Sequence, residues 1–352
     1  MQYPEEEYSR LTSLCSIVIP TCKRAKSLKN TLDALALQET TSRFEVVVVS
    51  DGPDADTEAI ASEYAAPYPL IWKWNPENLG LAATRNRGVH AASGEIILFL
   101  DDDCIPAPGW ISDHLRHHND GKSRVVLGRF HTVYDRPPRD HTEAFLREMQ
   151  DGYFENAWQA LGSTRPDPSA YWIGLNSSLP RSLYLELGGA DCRLRLNEET
   201  DMAERAIKAG VEFLFDSGLL ITHCEDKDLE ADRHLRAELF AYCELLRALE
   251  LGSEAATWPT LGAIHFGNRW YWRLKDRFSW HFPAAAIFTG RLFRCITNAT
   301  GSKNAFKISD AFLFAARYWS IVRSSGITLD RLRDIAEREW KRRRSIGEEC
   351  NP

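Results

Sequence analysis

The chain has 352 residues, of which 44% are hydrophobic and 26% charged, and its net charge is −7. That length buries a sizeable core as one large or two medium domains, and the composition excludes a disordered chain. Eight cysteines without a CxxC pair exclude a zinc or disulfide framework and read as reduced, mostly buried thiols.

The chain opens on MQYPEEEYSR, acidic and polar rather than basic then apolar, so no secretory signal is read there and a cytoplasmic location is expected. Up to residue 100, short β-branched runs alternate with amphipathic stretches. The pattern predicts strands at 15–20, 44–50, 70–75 and 95–100, with helices at 25–38, 54–66 and 79–92. The VVVV run at 46–49 is apolar on both faces, as suits a parallel strand covered by helices on each side. Three of these strands end in polar residues: Thr21, then Asp51-Gly52, then Asp101-Asp102-Asp103. In an open parallel sheet the ligand lies beyond the carboxyl ends of the strands, so these residues are expected to converge on one crevice. No G-x-G-x-x-G follows the first strand and no P-loop is present, which disfavours a nicotinamide or flavin dinucleotide.

Further along, the pattern predicts a strand at 124–130, helical structure near 140–161, a strand at 171–179, a short helix at 183–187, a helix at 199–208 closed by Gly210, and a strand at 211–215. Beyond 228 the reading is helical, with amphipathic segments near 229–251, 262–276, 304–323 and 329–344. The division expected is an α/β domain over 1–227 and a helical region over 228–352. The longest uncharged apolar stretch of the C-terminal third, 278–290, is 13 residues long and holds a proline, too short to cross a bilayer. Residues 265–344 carry 17 Lys/Arg against 6 Asp/Glu, interleaved with Trp, Phe and Leu. Two readings fit this segment: peripheral contact with an anionic membrane surface or a lipid-diphosphate acceptor, and ordinary helices with solvated basic faces. No nucleic-acid reader motif accompanies the charge, so no nucleic-acid partner is expected.

Chemistry concentrates in two acidic peptides. In FLDDDCIP, residues 99–106, three consecutive carboxylates follow an apolar strand and repel one another unless a cation or a proton intervenes. A divalent cation such as Mn²⁺ or Mg²⁺, shared with a substrate diphosphate, is the natural remedy; a solvated acidic turn is the plainer one. The second peptide, NEETDM at 197–202, places carboxylates on the first turn of a helix, which the helix dipole favours whatever the chemistry.

These peptides, with SIVIPTCKR, VVVVSDGPDADT, NLGLAATRNRGVHAASGEIILFLDDDCIP and GLNSSLPRSLYLELGGADCRLRLNEETDMAERAIKAG, resemble in order and spacing the family 2 glycosyltransferases of the GT-A fold, across roughly residues 14–225. The resemblance implies a Rossmann-like, mostly parallel sheet flanked by helices, with the C-terminal helices as an extension. It implies metal-dependent, inverting transfer of a sugar from a UDP- or GDP-sugar to the hydroxyl of a carbohydrate, lipid-linked or other acceptor. Pro20, Thr21 and Arg24 would line the nucleotide pocket, Asp51 would meet the base, Arg85 and Asp101 would lie near the nucleotide, and Asp102 would touch the ribose. Asp103 would bind the metal, supported by Asp101 and completed by His223. Glu199 stands where similar enzymes carry the aspartate that takes the acceptor's proton, and Glu198 is the neighbouring alternative. Gly174 and Asn176 match the donor-sugar or acceptor edge and Asp191 its following turn, while Trp172 suits either sugar stacking or the core.

Other classes fit less well. A haloacid-dehalogenase-type phosphotransferase needs Thr or Val where Ile105 stands, and a sugar nucleotidyltransferase needs a Gly-rich loop after the first strand that is missing. A glycan- or membrane-binding protein with this fold and no turnover would not need Asp101–Asp103 and Glu198-Glu199 together.

Overall fold

The computed structural model describes residues 15–161, 174–249, 270–328 and 331. In chain order its elements are β1 (Cys15–Thr21), α1 (Ala25–Leu35), β2 (Phe44–Ser50), α2 (Ala55–Glu63), β3 (Leu70–Trp74), α3 (Leu81–Ala91), β4 (Ile96–Leu100), β5 (Cys104–Pro106), α4 (Trp110–Leu115), β6 (Arg124–Tyr134), α5 (His141–Leu161), β7 (Asn176–Pro180), α6 (Arg181–Glu186), α7 (Glu198–Lys208), β8 (Glu212–Glu225), α8 (Leu229–Leu249), α9 (Trp270–His281), α10 (Pro283–Thr300) and α11 (Lys303–Ser324). Apart from residue 331, the predicted helix at 329–344 lies outside the described residues, as does Trp172.

Two compact units emerge: Met1–Arg136 with Tyr153–Asp226, and Pro137–Gly152 with Lys227–Pro352. The sequence reading put residues 137–152 in the N-terminal domain. They group instead with the helical unit, because Thr142 donates to Asn298 Oδ1 through its amide (2.9 Å) and its hydroxyl (2.8 Å), and Phe145 packs on Phe306 at 5.4 Å.

The first unit is built on one eight-stranded sheet, ordered β3-β2-β1-β4-β7-β6-β8-β5. Four of its seven neighbouring pairs are parallel, and the antiparallel pairs are β4–β7, β7–β6 and β8–β5. Val46 to Val49 are wholly buried, as a run apolar on both faces requires. Over it α1 buries Leu28, Thr31, Leu32 and Leu35, one stripe at helical spacing, and α3 approaches closely through Gly88, where a Cβ would overlap Val18.

Three strands depart from the sequence reading. The expected strand at 171–179 has Asn176 as its first described strand residue. The expected strand at 211–215 is the opening of the 14-residue β8, whose pairing with β6 slips at Gly128/Arg129. That slip needs a glycine, since a Cβ on Gly128 would collide with Asn176 and with the Leu219 carbonyl. The short strand β5 was not expected, because its three residues lie below any periodicity signal.

In the helical unit, Ala241, Leu245, Ala315, Tyr318, Trp319, Val322 and Ile327 form a core of their own. Helix α10 was also not expected: Pro283 reads as a break, yet it sits in the first turn, where its missing N–H costs nothing. No described helix is long and apolar enough to cross a membrane.

Candidate active site

Strands β1 and β4 run parallel and adjacent, so Thr21 and the acidic triplet leave the sheet side by side. The Thr21 hydroxyl donates to Asp102 Oδ2 at 2.6 Å. Just before α1, Arg24 donates to Asp103 Oδ2 at 2.6 Å, lies 3.4 Å from Asp102 Oδ1 and donates to Asp226 at 2.7 Å. Burial pushes the Asp102 carboxyl up to about 7, with Arg24 opposing the shift and Asp103 adding to it. The pairing of β5 with β8 sets Cys104 opposite His223 and brings His223 Nε2 within 3.3 Å of Asp103 Oδ2.

Asp51, at the end of β2, is buried and organises the loop that leads into α3. Its Oδ1 accepts from Asn75 Nδ2 (2.9 Å) and the Leu79 amide (2.8 Å), and its Oδ2 from the Gly80 amide (2.9 Å). Gly80 makes that turn at φ +91. A cavity of about 270 Å³ opens here, lined by Pro20, Thr21, Arg24, Asp51, Asp101 and Asp102 together with Cys22, Asn78, Gly80, Leu81 and Thr84. Six of the seven residues assigned to a nucleotide from sequence thus line one cavity.

The seventh, Arg85, is buried beside it and joins the two acidic peptides. Its Nη2 donates to Asp101 Oδ1 at 3.1 Å, and its Nη1 donates to Glu199 and lies 3.5 Å from Glu198. Glu199 Oε1 also accepts the Gly174 amide at 3.0 Å. A side chain at 174 would meet the Glu199 carboxylate and approach Arg85 to 2.9 Å, displacing both from this arrangement. Glu198 is buried, and its carboxyl is pushed up to about 7 by that burial and by Glu199, against the pull of Arg85.

Two sequence-derived residues play other parts. Asn176 is buried with its amide saturated: Oδ1 accepts from Trp110 Nε1 (2.8 Å) and bonds His114 Nε2 (3.0 Å), while Nδ2 donates to the carbonyls of Arg129 (2.9 Å) and Leu219 (2.8 Å). It fastens β7 to its neighbours and has no hydrogen-bonding capacity left for a sugar, which corrects its assignment. Asp191 is tied to Arg193 at 2.6 Å. Asn75, Thr84 and Asp226 were missed by sequence reasoning; Thr84 belongs to the NLGLAATRNRG stretch already singled out and Asn75 ends the predicted strand at 70–75, whereas nothing local marks Asp226.

The donor set fits a divalent cation in part. Asp103 and His223 offer one oxygen and one nitrogen close together, but no group of three or more His, Cys, Asp or Glu converges among the described residues. Two protein ligands suffice for a cation whose other positions go to a diphosphate and water, and the imidazole suits Mn²⁺ better than Mg²⁺. Asp101 directs its carboxylate to Arg85, and Arg24 serves as counter-ion to Asp103.

Residues 16–180 match the family described as Glycosyl transferase family 2. A validoxylamine A glucosyltransferase of Streptomyces hygroscopicus is 30% identical over 202 residues, 51% of this chain and 47% of that protein. The chain spans between 35% and 55% of the length of the first curated relatives it matches. Among solved structures, the mannosyltransferase PcManGT of Pyrobaculum calidifontis, in complex with GDP-Man and Mn²⁺, aligns with a TM-score of 0.52 at 18% identity, covering 87% of this chain and 86% of that one. TarS 1–349 of S. aureus, in complex with UDP, aligns with a TM-score of 0.50 at 17% identity, covering 88% and 91%. At such identities the likeness is one of fold.

Proposed function

We propose that the protein, whose residues 16–180 match the family described as Glycosyl transferase family 2, moves a sugar from a nucleoside diphosphate to an acceptor hydroxyl with inversion at the anomeric carbon. The observation that carries this reading is the cavity at the carboxyl ends of β1, β2 and β4, where Thr21, Arg24, Asp51, Asp101 and Asp102 meet and Asp103 and His223 adjoin.

In this reading Asp103 and His223 hold Mn²⁺ or Mg²⁺, which when bound neutralises charge on the departing diphosphate. The nucleotide occupies the cavity. Asp51 acts chiefly by shaping its floor: three of its acceptor positions already hold Asn75, Leu79 and Gly80, leaving at most one for a base N–H. Glu199 takes the proton of the acceptor hydroxyl, whose oxygen bonds to the anomeric carbon as the carbon–oxygen bond to the diphosphate breaks on the opposite face. Arg85 and the Gly174 amide fix the Glu199 carboxylate in place. Between the two acids, Glu199 is the more accessible, with 28% of its side chain exposed against 6% for Glu198, and an acceptor must reach its base.

Release of nucleoside diphosphate from UDP- and GDP-sugars, measured with and without Mn²⁺, tests the reading. Turnover is expected only with the cation, and Glu199→Gln is expected to lower kcat by roughly 10²–10⁴-fold. Full turnover in Asp103→Ala or in chelator-treated protein would overturn the metal assignment.

A further inference from the structure

Helix α10 is arranged inside out. The side it turns inward carries small residues: Ala286, Gly290 and Thr297 are its buried positions, and Gly290 lies so close to α11 that a Cβ there would approach Leu313 Cγ to 2.6 Å. Three of its large apolar residues point outward, while Ile287 and Phe293 are half-buried. Phe288, Leu292 and Ile296 follow one another at intervals of four, hence on one face, and are 68%, 49% and 38% exposed. Leu274 on α9 and Phe282 between the helices are each 59% exposed. A surface helix normally turns its large apolar stripe to the core, and large apolar side chains exposed together on one helix face mark an interaction site.

Along the ridge's own segment basic residues outnumber acids, and one of the basic residues, Arg294, is already paired with Glu230 of α8. Between residues 270 and 300 stand five Lys/Arg and a single acid, Asp276. That acid is already engaged, accepting from Trp319 Nε1 at 3.1 Å and pairing with Lys275 at 3.1 Å. Arg277 and Arg291 are exposed and make no ion pair among the described residues. We propose that the α9–α10 ridge seats the protein on an anionic lipid surface, with Leu274, Phe282, Phe288, Leu292 and Ile296 entering the headgroup boundary while Arg277 and Arg291 meet lipid phosphates and carboxylates. The protein lies on the bilayer and does not cross it through these helices, none of which has the length and apolarity of a span. The ridge lies wholly within the helical unit, so the inference stands independently of the sugar-transfer reading.

Flotation of the full chain with phosphatidylcholine vesicles, with and without phosphatidylserine, tests it. The protein is expected to float with the anionic vesicles and to be released by salt. The double variant Phe288→Ser, Leu292→Ser is expected to lose roughly tenfold or more in partitioning at an unchanged thermal midpoint, because two exposed side chains leave the lipid and nothing leaves the core. Arg277→Gln with Arg291→Gln, which keeps the apolar ridge intact, is expected to bind more weakly and with less dependence on salt. The proposal is overturned by absence of flotation on anionic vesicles at low salt, or by partitioning indifferent to both double variants. Concentration-dependent self-association that Phe288→Ser, Leu292→Ser abolishes would overturn it too, since a second copy would then be what covers the ridge.

Discussion

Asp51 shows how one carboxylate can be a binding residue in sequence and a loop-holder in structure. It accepts two backbone amides and one side-chain amide from the 75–80 segment, so Asp51→Ala leaves buried donors unsatisfied. A loss of about 1–3 kcal/mol in unfolding free energy is expected, read from the urea midpoint, with Asp51→Asn losing less because it keeps one acceptor oxygen. His118 gives the pH counterpart. Its Nε2 bonds Ser178 Oγ at 2.8 Å, and burial with Arg124 nearby lowers its pKa from 6.5 to about 4. A depressed histidine contributes stability that is complete above 6.5 and is lost as pH falls toward 4. Asp102 and Glu198, both raised, run the opposite way, shedding stability as pH climbs from about 4 to about 7. The raw stability curve therefore mixes the two, and the difference between wild type and His118→Gln isolates the histidine. Wild type should lose up to about 3 kcal/mol relative to that variant between pH 6.5 and pH 4, and equal slopes in the two proteins would contradict the assignment.

At the scale of elements, short strands and close helix contacts set the geometry. The three-residue β5 is what brings His223 to Asp103 across 120 positions of sequence, and it is too short to announce itself. Helix α3 presents Arg85 to both acidic peptides because Gly88 lets the helix settle against Val18. In the helical unit Gly290 does the same for α10 on α11. Gly290→Ala gains up to about 1 kcal/mol of helix propensity, but its methyl meets Leu313 Cγ at 2.6 Å and the Ser309 carbonyl at 3.2 Å. Overpacking of that kind costs about 1–3 kcal/mol, so a net loss is expected in thermal denaturation, and a stabilised variant would show that α10 and α11 are looser than their backbones suggest.

Across the whole molecule, the net charge of −7 conceals a basic C-terminal third, and the two units differ in kind: a sheet whose strand ends carry acids, and a helical bundle with its own small core. The four parallel-strand runs of the first hundred residues were legible because burial on both faces writes itself as β-branched repetition. Thr21, Asp51 and the triplet were legible as strand-end residues for the same reason, since a polar residue that stops an apolar run marks where the strand leaves the core. What sequence alone could not decide is which partner each polar group takes. Arg24 spans Asp102, Asp103 and Asp226; Asn176 is saturated by β6, α4 and the β8 strand; α10 turns Phe288, Leu292 and Ile296 outward. Periodicity is a local property fixed by backbone geometry, whereas these pairings join groups tens to hundreds of residues apart and depend on strand order, register and the glycines that permit close approach.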